Sequence, residues 1–211
     1  MSSDTNETYL LEPNIKQGAI KRRNMATTAV FTFGRFNPPT VGHQKMIQKL
    51  LEVGDEENAD VYVFGSHTKD KKKNPLTHKQ KMDYMIEMFP EMKEYEDPGE
   101  QIRTALDAAV YLNDYDKLVM VVGEDRVESF DKLLKRYNGK EMKKGEYDFD
   151  EIEVINAGVR DPDAEGLEGM SASKMREAVM NDDMETFRSG LPLNYDGNRI
   201  FEDVKKGMNL K

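Results

Sequence analysis

Four short apolar runs, Ala29 to Phe33, Val61 to Phe64, Leu118 to Val122 and Ile152 to Ile155, alternate with stretches whose apolar side chains recur at helical spacing. Runs that are apolar throughout fit strands buried on both faces, and such strands belong to parallel sheets. The helical stretches are Gly42 to Val53, Thr77 to Phe89, Gln101 to Leu112, Glu124 to Tyr137 and Ser171 to Met180. This order predicts an α/β fold, a Rossmann-like doubly wound parallel sheet in a single domain. Ligands of such sheets sit at the carboxyl ends of the strands, which is where functional residues are to be sought.

A chain of 211 residues supports one such domain. Residues 1–24 are polar and without periodicity, and are read as a flexible leader. Residues 25–192 are read as the domain and 193–211 as a C-terminal tail, with Met25 as an alternative start. Glu91 to Gly99 and Gly139 to Asp150, acidic or of mixed charge, are expected to be surface insertions. Thr77 and Gln80 form a capping box that marks one helix start, and Met82, Met85, Ile86 and Phe89 then share a core-facing side.

No apolar run reaches membrane-spanning length, so no membrane is expected. The first residues lack the apolar core of a secretory signal, which predicts a cytoplasmic protein. The absence of cysteine leaves any metal to oxygen or imidazole ligands. A formal net charge of −9 repels polyanions, so nucleic acid is not an expected partner. One local exception, the basic run Lys69 to Lys73, reads as a solvated loop or as a local phosphate attractor.

Immediately after the first apolar run comes Gly34-Arg35-Phe36-Asn37-Pro38-Pro39-Thr40-Val41-Gly42-His43, followed by Met46, Ile47 and Leu50 at helical spacing. The segment therefore leads from a strand end into a helix N-terminus. Gly34 lets the backbone turn and approach a ligand, Gly42 admits a phosphate to the first helical turn, and the helix start offers amides and a positive dipole end to an anion. His43 stands where an imidazole donates to a phosphoryl oxygen as charge accumulates on it.

Thr40-Val41-Gly42-His43 resembles the His/Thr-x-Gly-His signature of the nucleotidylyltransferase superfamily. Thr in the first place is also found in phosphopantetheine adenylyltransferases. Far downstream, Met170-Ser171-Ala172-Ser173-Lys174-Met175-Arg176 is similar to the family's Ile-Ser-Ser-Thr-x-x-Arg motif. Gly65-Ser66-His67-Thr68 and Asn74-Pro75-Leu76-Thr77, leading to Gln80-Lys81, resemble a stretch of archaeal-type nicotinamide mononucleotide adenylyltransferases, as do the Gly-Arg-Phe-x-Pro opening and Leu191-Pro192. Lys81 stands where that group has Arg, Asn37 where it has Gln and Thr40 where it has His. Gly123-Glu124-Asp125-Arg126 resembles instead the Gly-x-Asp corner of several adenylyltransferases. The combination is also similar to nucleotidyltransferases encoded by large tailed bacteriophages, which implies a viral origin and the host cytoplasm.

The resemblance implies that a phosphorylated acceptor attacks the α-phosphorus of ATP or CTP and that pyrophosphate leaves with Mg²⁺. His43, Thr40, Lys174 and Arg176 then act in catalysis. Gly34, Arg35, Phe36, Asn37, Gly42, Ser171 and Ser173 join them in nucleotide binding, and Ser66, Asn74, Asp125 and Arg126 bind the acceptor. No protein ligand to the metal is named, and Asp161 and Asp163 are read as a surface turn. AMP transfer to nicotinamide mononucleotide leads the expectations, beside cytidylyl transfer, a phosphopantetheine-type adenylyl transfer and a non-catalytic nucleotide-binding module. Relatives imply a homo-oligomer.

Overall fold

The computed structural model describes residues 19–20, 27–93, 102–158 and 170–211. Five strands form one sheet: β1 (Ala19–Ile20), β2 (Thr28–Gly34), β3 (Asp60–Gly65), β4 (Lys117–Val122) and β5 (Glu151–Asn156). Their order is β1-β3-β2-β4-β5, with β2 to β5 all parallel and only β1 antiparallel on its neighbour β3. The four apolar runs are the four parallel strands. β1 falls within the stretch expected to be a leader, most of which lies outside the described residues.

The strand sequences explain the two-faced burial. Val30, Val61, Val63, Val119 and Val121 point to one side, where α1 (Val41–Glu56), α2 (His78–Met88), α5 (Ala172–Met180), α6 (Met184–Arg188) and α7 (Asn198–Gly207) complete a core. Ala29, Phe31, Tyr62, Phe64, Leu118 and Met120 point to the other, which α3 (Ala105–Tyr111) and α4 (Val127–Tyr137) cover. A doubly wound α/β sheet, as expected, buries both faces.

The starts of α2 and α3 follow side-chain capping. Thr77 Oγ1 accepts from Gln80 N at 3.2 Å while Gln80 Oε1 accepts from Thr77 N at 3.0 Å, the anticipated capping box. Thr104 and Asp107 form a second one, which starts α3 at Ala105 and not at Gln101. Glu124 to Arg126 is a separate 3-10 turn ahead of α4.

The expectation of a surface insertion at Gly139 to Asp150 is corrected. Within Gly139 to Asp150, Tyr147 is 0% and Phe149 3% exposed. The Tyr147 hydroxyl donates to Leu134 O, and the Asn138 amide pairs with both backbone groups of Phe149, so the segment is pinned to the core. The stretch 193–211, expected as a tail, carries α7, whose Ile200, Phe201 and Val204 are buried; each contributes roughly 1.5–3 kcal/mol by leaving water. Tyr84 donates to Asp203, and Arg199 pairs with Glu87, tying α7 to α2. Among the described residues no helix is long and apolar enough to cross a membrane.

Candidate active site

The strand register brings the candidate loops together. Gly34 pairs with Gly65, so β2 and β3 end level, and β4 flanks β2 on the other side. The loops after these three strands therefore open on one sheet edge, at the point where the crossovers diverge to opposite sides, which is the ligand-binding place of such sheets.

The loop after β2 is held from within. Phe36 adopts φ +48° with its ring buried at 1% exposure. Such a backbone costs a non-glycine residue roughly 1–3 kcal/mol and persists only where packing imposes it. The packing is supplied at Gly34: a Cβ there would lie 2.3 Å from the Phe36 ring, so the glycine is required by its own neighbour. The ring also meets His43 edge-on at a centroid distance of 5.0 Å. Phe36 thus supports the site from below. Asn37, 1% exposed, does likewise: its Nδ2 donates to Leu76 O at 3.0 Å and its Oδ1 accepts from Leu76 N at 2.9 Å. The side chain acts as a substitute peptide joining this loop to the one after β3.

Thr40 caps α1 and is buried at 1% exposure, and its N–H donates to His43 Nδ1 at 2.8 Å. A backbone amide is always a donor, so Nδ1 carries no proton and the neutral imidazole holds its proton on Nε2. The first-turn amides are otherwise engaged: Val41 N donates to Gly190 O at 2.8 Å and His43 N to Thr40 O at 2.9 Å. The Gly42 N–H has no acceptor among the described residues. A Cβ on Gly42 would make only ordinary contact, 3.5 Å from Thr40 Oγ1, so its protein neighbours do not demand glycine. An exposed amide and an Nε2–H at a helix start suit an anion.

The second signature reaches this loop. Ser171 caps α5, its Oγ accepting from Lys174 N at 3.1 Å. Arg176 donates through one nitrogen to Asn37 O at 2.7 Å and through another to Ser173 Oγ at 2.9 Å. Half-buried, it is pushed below the ordinary arginine range by burial and by the like charge of Arg35, and Asp70 opposes this. Arg35, Arg176 and Asp70 therefore share one field. Arg35 and Lys174 are exposed. The two signatures, distant in sequence, are joined at Asn37.

The expected acceptor residues divide. Ser66 is at the site: its N–H donates to Gly34 O at 2.8 Å, and its Oγ accepts from Lys81 Nζ at 2.9 Å. Asn74 serves the loop itself, donating to Asp70 Oδ2. Asp70 Oδ1 also accepts from Lys72 N and Lys73 N, and these bonds, that from Lys73 foremost, hold its carboxyl down at about 2. The basic run is thus a pinned turn. Asp125 and Arg126, at the end of β4, are exposed and face each other at 3.4 Å. Asp161 and Asp163 lie outside the described residues.

Lys81 is the residue that sequence reasoning registered only as a departure. It is 0% exposed, and Nζ donates to Arg35 O at 2.8 Å as well as to Ser66. Burial, then the charge of Arg35, lowers its pKa to about 8. The sequence signal was its place in the stripe Lys81, Met85, Met88, on the buried side of an amphipathic helix.

Among the described residues no three of His, Cys, Asp and Glu gather as metal ligands. The site is built of amides, hydroxyls and cations, a donor set for phosphate. The profile of a family described as cytidylyltransferase-like matches residues 31–178, which span all three strand ends and both signatures. The chain is also 24% identical over 184 residues, 82% of its own length and 96% of the other's, to a protein of Acholeplasma laidlawii (strain PG-8A) named "Probable nicotinate-nucleotide adenylyltransferase". The chain belongs to the cytidylyltransferase-like family and is a nucleotidyltransferase.

Proposed function

We propose that the protein transfers AMP from ATP to a phosphorylated small molecule, a pyridine mononucleotide, and releases pyrophosphate. The observation that carries this reading is the bond from Thr40 N to His43 Nδ1, which presents an Nε2–H beside the Gly42 amide at the start of α1. The acceptor's phosphate oxygen forms a bond to the α-phosphorus while the bond to the β-phosphate oxygen breaks. His43 Nε2 and the Gly42 amide donate to the oxygens on which charge grows, a stabilisation by positioned donors. Arg35, Lys174 and Arg176 offset the charge of the leaving pyrophosphate, and Arg176 also holds Asn37. No side chain acts as a nucleophile.

Mg²⁺ belongs to this reading as a companion of the triphosphate, since it keeps waters and binds phosphate oxygens readily. The described residues near the loop offer it no carboxylate cluster, and no step is routed through a protein-held ion. The pyridine mononucleotide is favoured by the name of the Acholeplasma relative and by the Asn74-Pro75-Leu76-Thr77 resemblance.

The test is pyrophosphate release with Mg²⁺ and either ATP or CTP, across nicotinate mononucleotide, nicotinamide mononucleotide, phosphopantetheine and glycerol 3-phosphate. ATP with a pyridine mononucleotide is the expected pair. Release with CTP alone, or with another acceptor alone, replaces the base or the acceptor in this reading. Silence across the panel sinks it.

A further inference from the structure

Lys81 is a buried cation without a counter-charge. Its side chain is 0% exposed, and its two hydrogen-bond acceptors, Arg35 O and Ser66 Oγ, are both neutral. Other lysines, such as Lys79, Lys117 and Lys205, have carboxylate partners. Among the described residues Lys81 has none within ion-pair distance. A charge held this way is expensive unless something else compensates it.

The surroundings are specific. Arg35, from the loop after β2, is the charged group whose field reaches Lys81, and it is of like sign. From the end of β3 come Ser66 and His67, and His67 stacks on His78 of α2 at 3.8 Å. On α2 itself, Lys79 and Asp83 pair with each other. Arg176 of α5 adds a further cation beyond Arg35. Asp70 is the carboxylate of this neighbourhood: its field acts on Arg176, while the charge that reaches Lys81 is that of Arg35, and burial with Arg35 brings Lys81 to a pKa of about 8.

We infer that Lys81 is a positioning residue whose ammonium form is stabilised by the anion occupying the adjoining loop, so that nucleotide binding takes up a proton at Lys81. The inference rests on the proposed nucleotide site. Lys81 is closed to solvent and does not touch the ligand. It acts through the Arg35 carbonyl and the Ser66 hydroxyl, which it pins together across the ends of β2 and β3, and through its field. The neutral amine still donates to both, but without the strength of a charge-assisted bond. An arginine in this place would stay charged throughout and carry no such linkage. The free site thus holds Lys81 partly neutral near pH 8, the bound site holds it charged, and nucleotide affinity falls by about tenfold between pH 7 and pH 9.

The test is calorimetric titration of the full chain with the α,β-methylene analogue of ATP and Mg²⁺ at pH 8, in buffers of different ionisation heat. Net proton uptake is expected for the unaltered protein and none for K81R or K81M. K81R should keep affinity that stays level between pH 7 and pH 9, and K81M serves if K81R fails to fold. Alongside, the Lys81 side-chain NMR signal of the ligand-free protein should titrate near 8. Binding without uptake, equal uptake in K81R, or a free titration above 10 overturns the inference and leaves the proposed function standing. Failure of the analogue to bind overturns both.

Discussion

Thr40 N donates to His43 Nδ1 at 2.8 Å, and this bond decides which nitrogen of the imidazole faces a ligand. The consequence separates two conservative replacements. His43→Gln keeps an amide donor near the position of Nε2, whereas His43→Asn offers a group only where Nδ1 lies. We expect His43→Ala and His43→Asn to lower kcat by about 10²–10⁴, with His43→Gln retaining more activity than either. The thermal midpoint should barely move, because His43 is partly exposed at a helix end. Steady-state kinetics of the three variants check the order.

Asn37 is predicted to matter for stability and activity together. Asn37→Ala leaves the buried Leu76 N–H and C=O without partners, and each lost partner costs about 1–3 kcal/mol. Arg176 retains the Asn37 carbonyl but on a looser loop, so activity should fall beyond what the unfolded fraction explains. Urea unfolding with kinetics at a temperature where the variant is folded separates the two effects.

Gly207 of α7 reaches the same region from the far side. A Cβ there would lie 2.2 Å from Pro75 O, a backbone atom with little room to yield. Gly207→Ala should cost about 1–3 kcal/mol, as overpacking does, and should raise KM by displacing Pro75 and Leu76. Chemical denaturation and acceptor titration measure both.

Stability should depend on pH through Lys81. Its ordinary value is 10.5, and in the folded chain it is lowered to about 8 by burial first and Arg35 second. Between these values the unfolded chain binds the proton more tightly, so stability rises with pH from about 8 to 10.5 and the buried-charge cost is present in full below that window. The difference in unfolding free energy between the unaltered protein and Lys81→Met, followed from pH 7 to pH 10, should move in favour of the unaltered protein. A level difference contradicts the assignment.

The parallel strands were legible because their residues are apolar on both faces, and α1 because Met46, Ile47 and Leu50 recur at helical spacing. The union of the two signatures was legible only by resemblance, since nothing local in Arg176 announces a bond to Asn37 O. Gly34, Phe36 and Asn37 were read as ligand contacts from their place in the loop. Internal contacts of theirs were not legible: the Phe36 ring fills the space beside Gly34, and the Asn37 amide pairs with Leu76. The helix at 198–207 escaped notice because its apolar residues Ile200, Phe201 and Val204 are embedded among charges and follow a Gly197 start without a side-chain cap. The bond from the Asn74 amide to Asp70, four residues earlier, was not legible, because nothing local announces that the carboxylate turns back to it.

In the proposed reaction the α-phosphorus of the nucleotide is the atom transferred. Reaction with ATP labelled at the α-phosphate, against ATP labelled at the γ-phosphate, tests it directly with a pyridine mononucleotide as acceptor. The α-label is expected in the dinucleotide product and the γ-label in pyrophosphate, with both movements lost in His43→Ala. Appearance of γ-label on the acceptor, or transfer undiminished in His43→Ala, would contradict it.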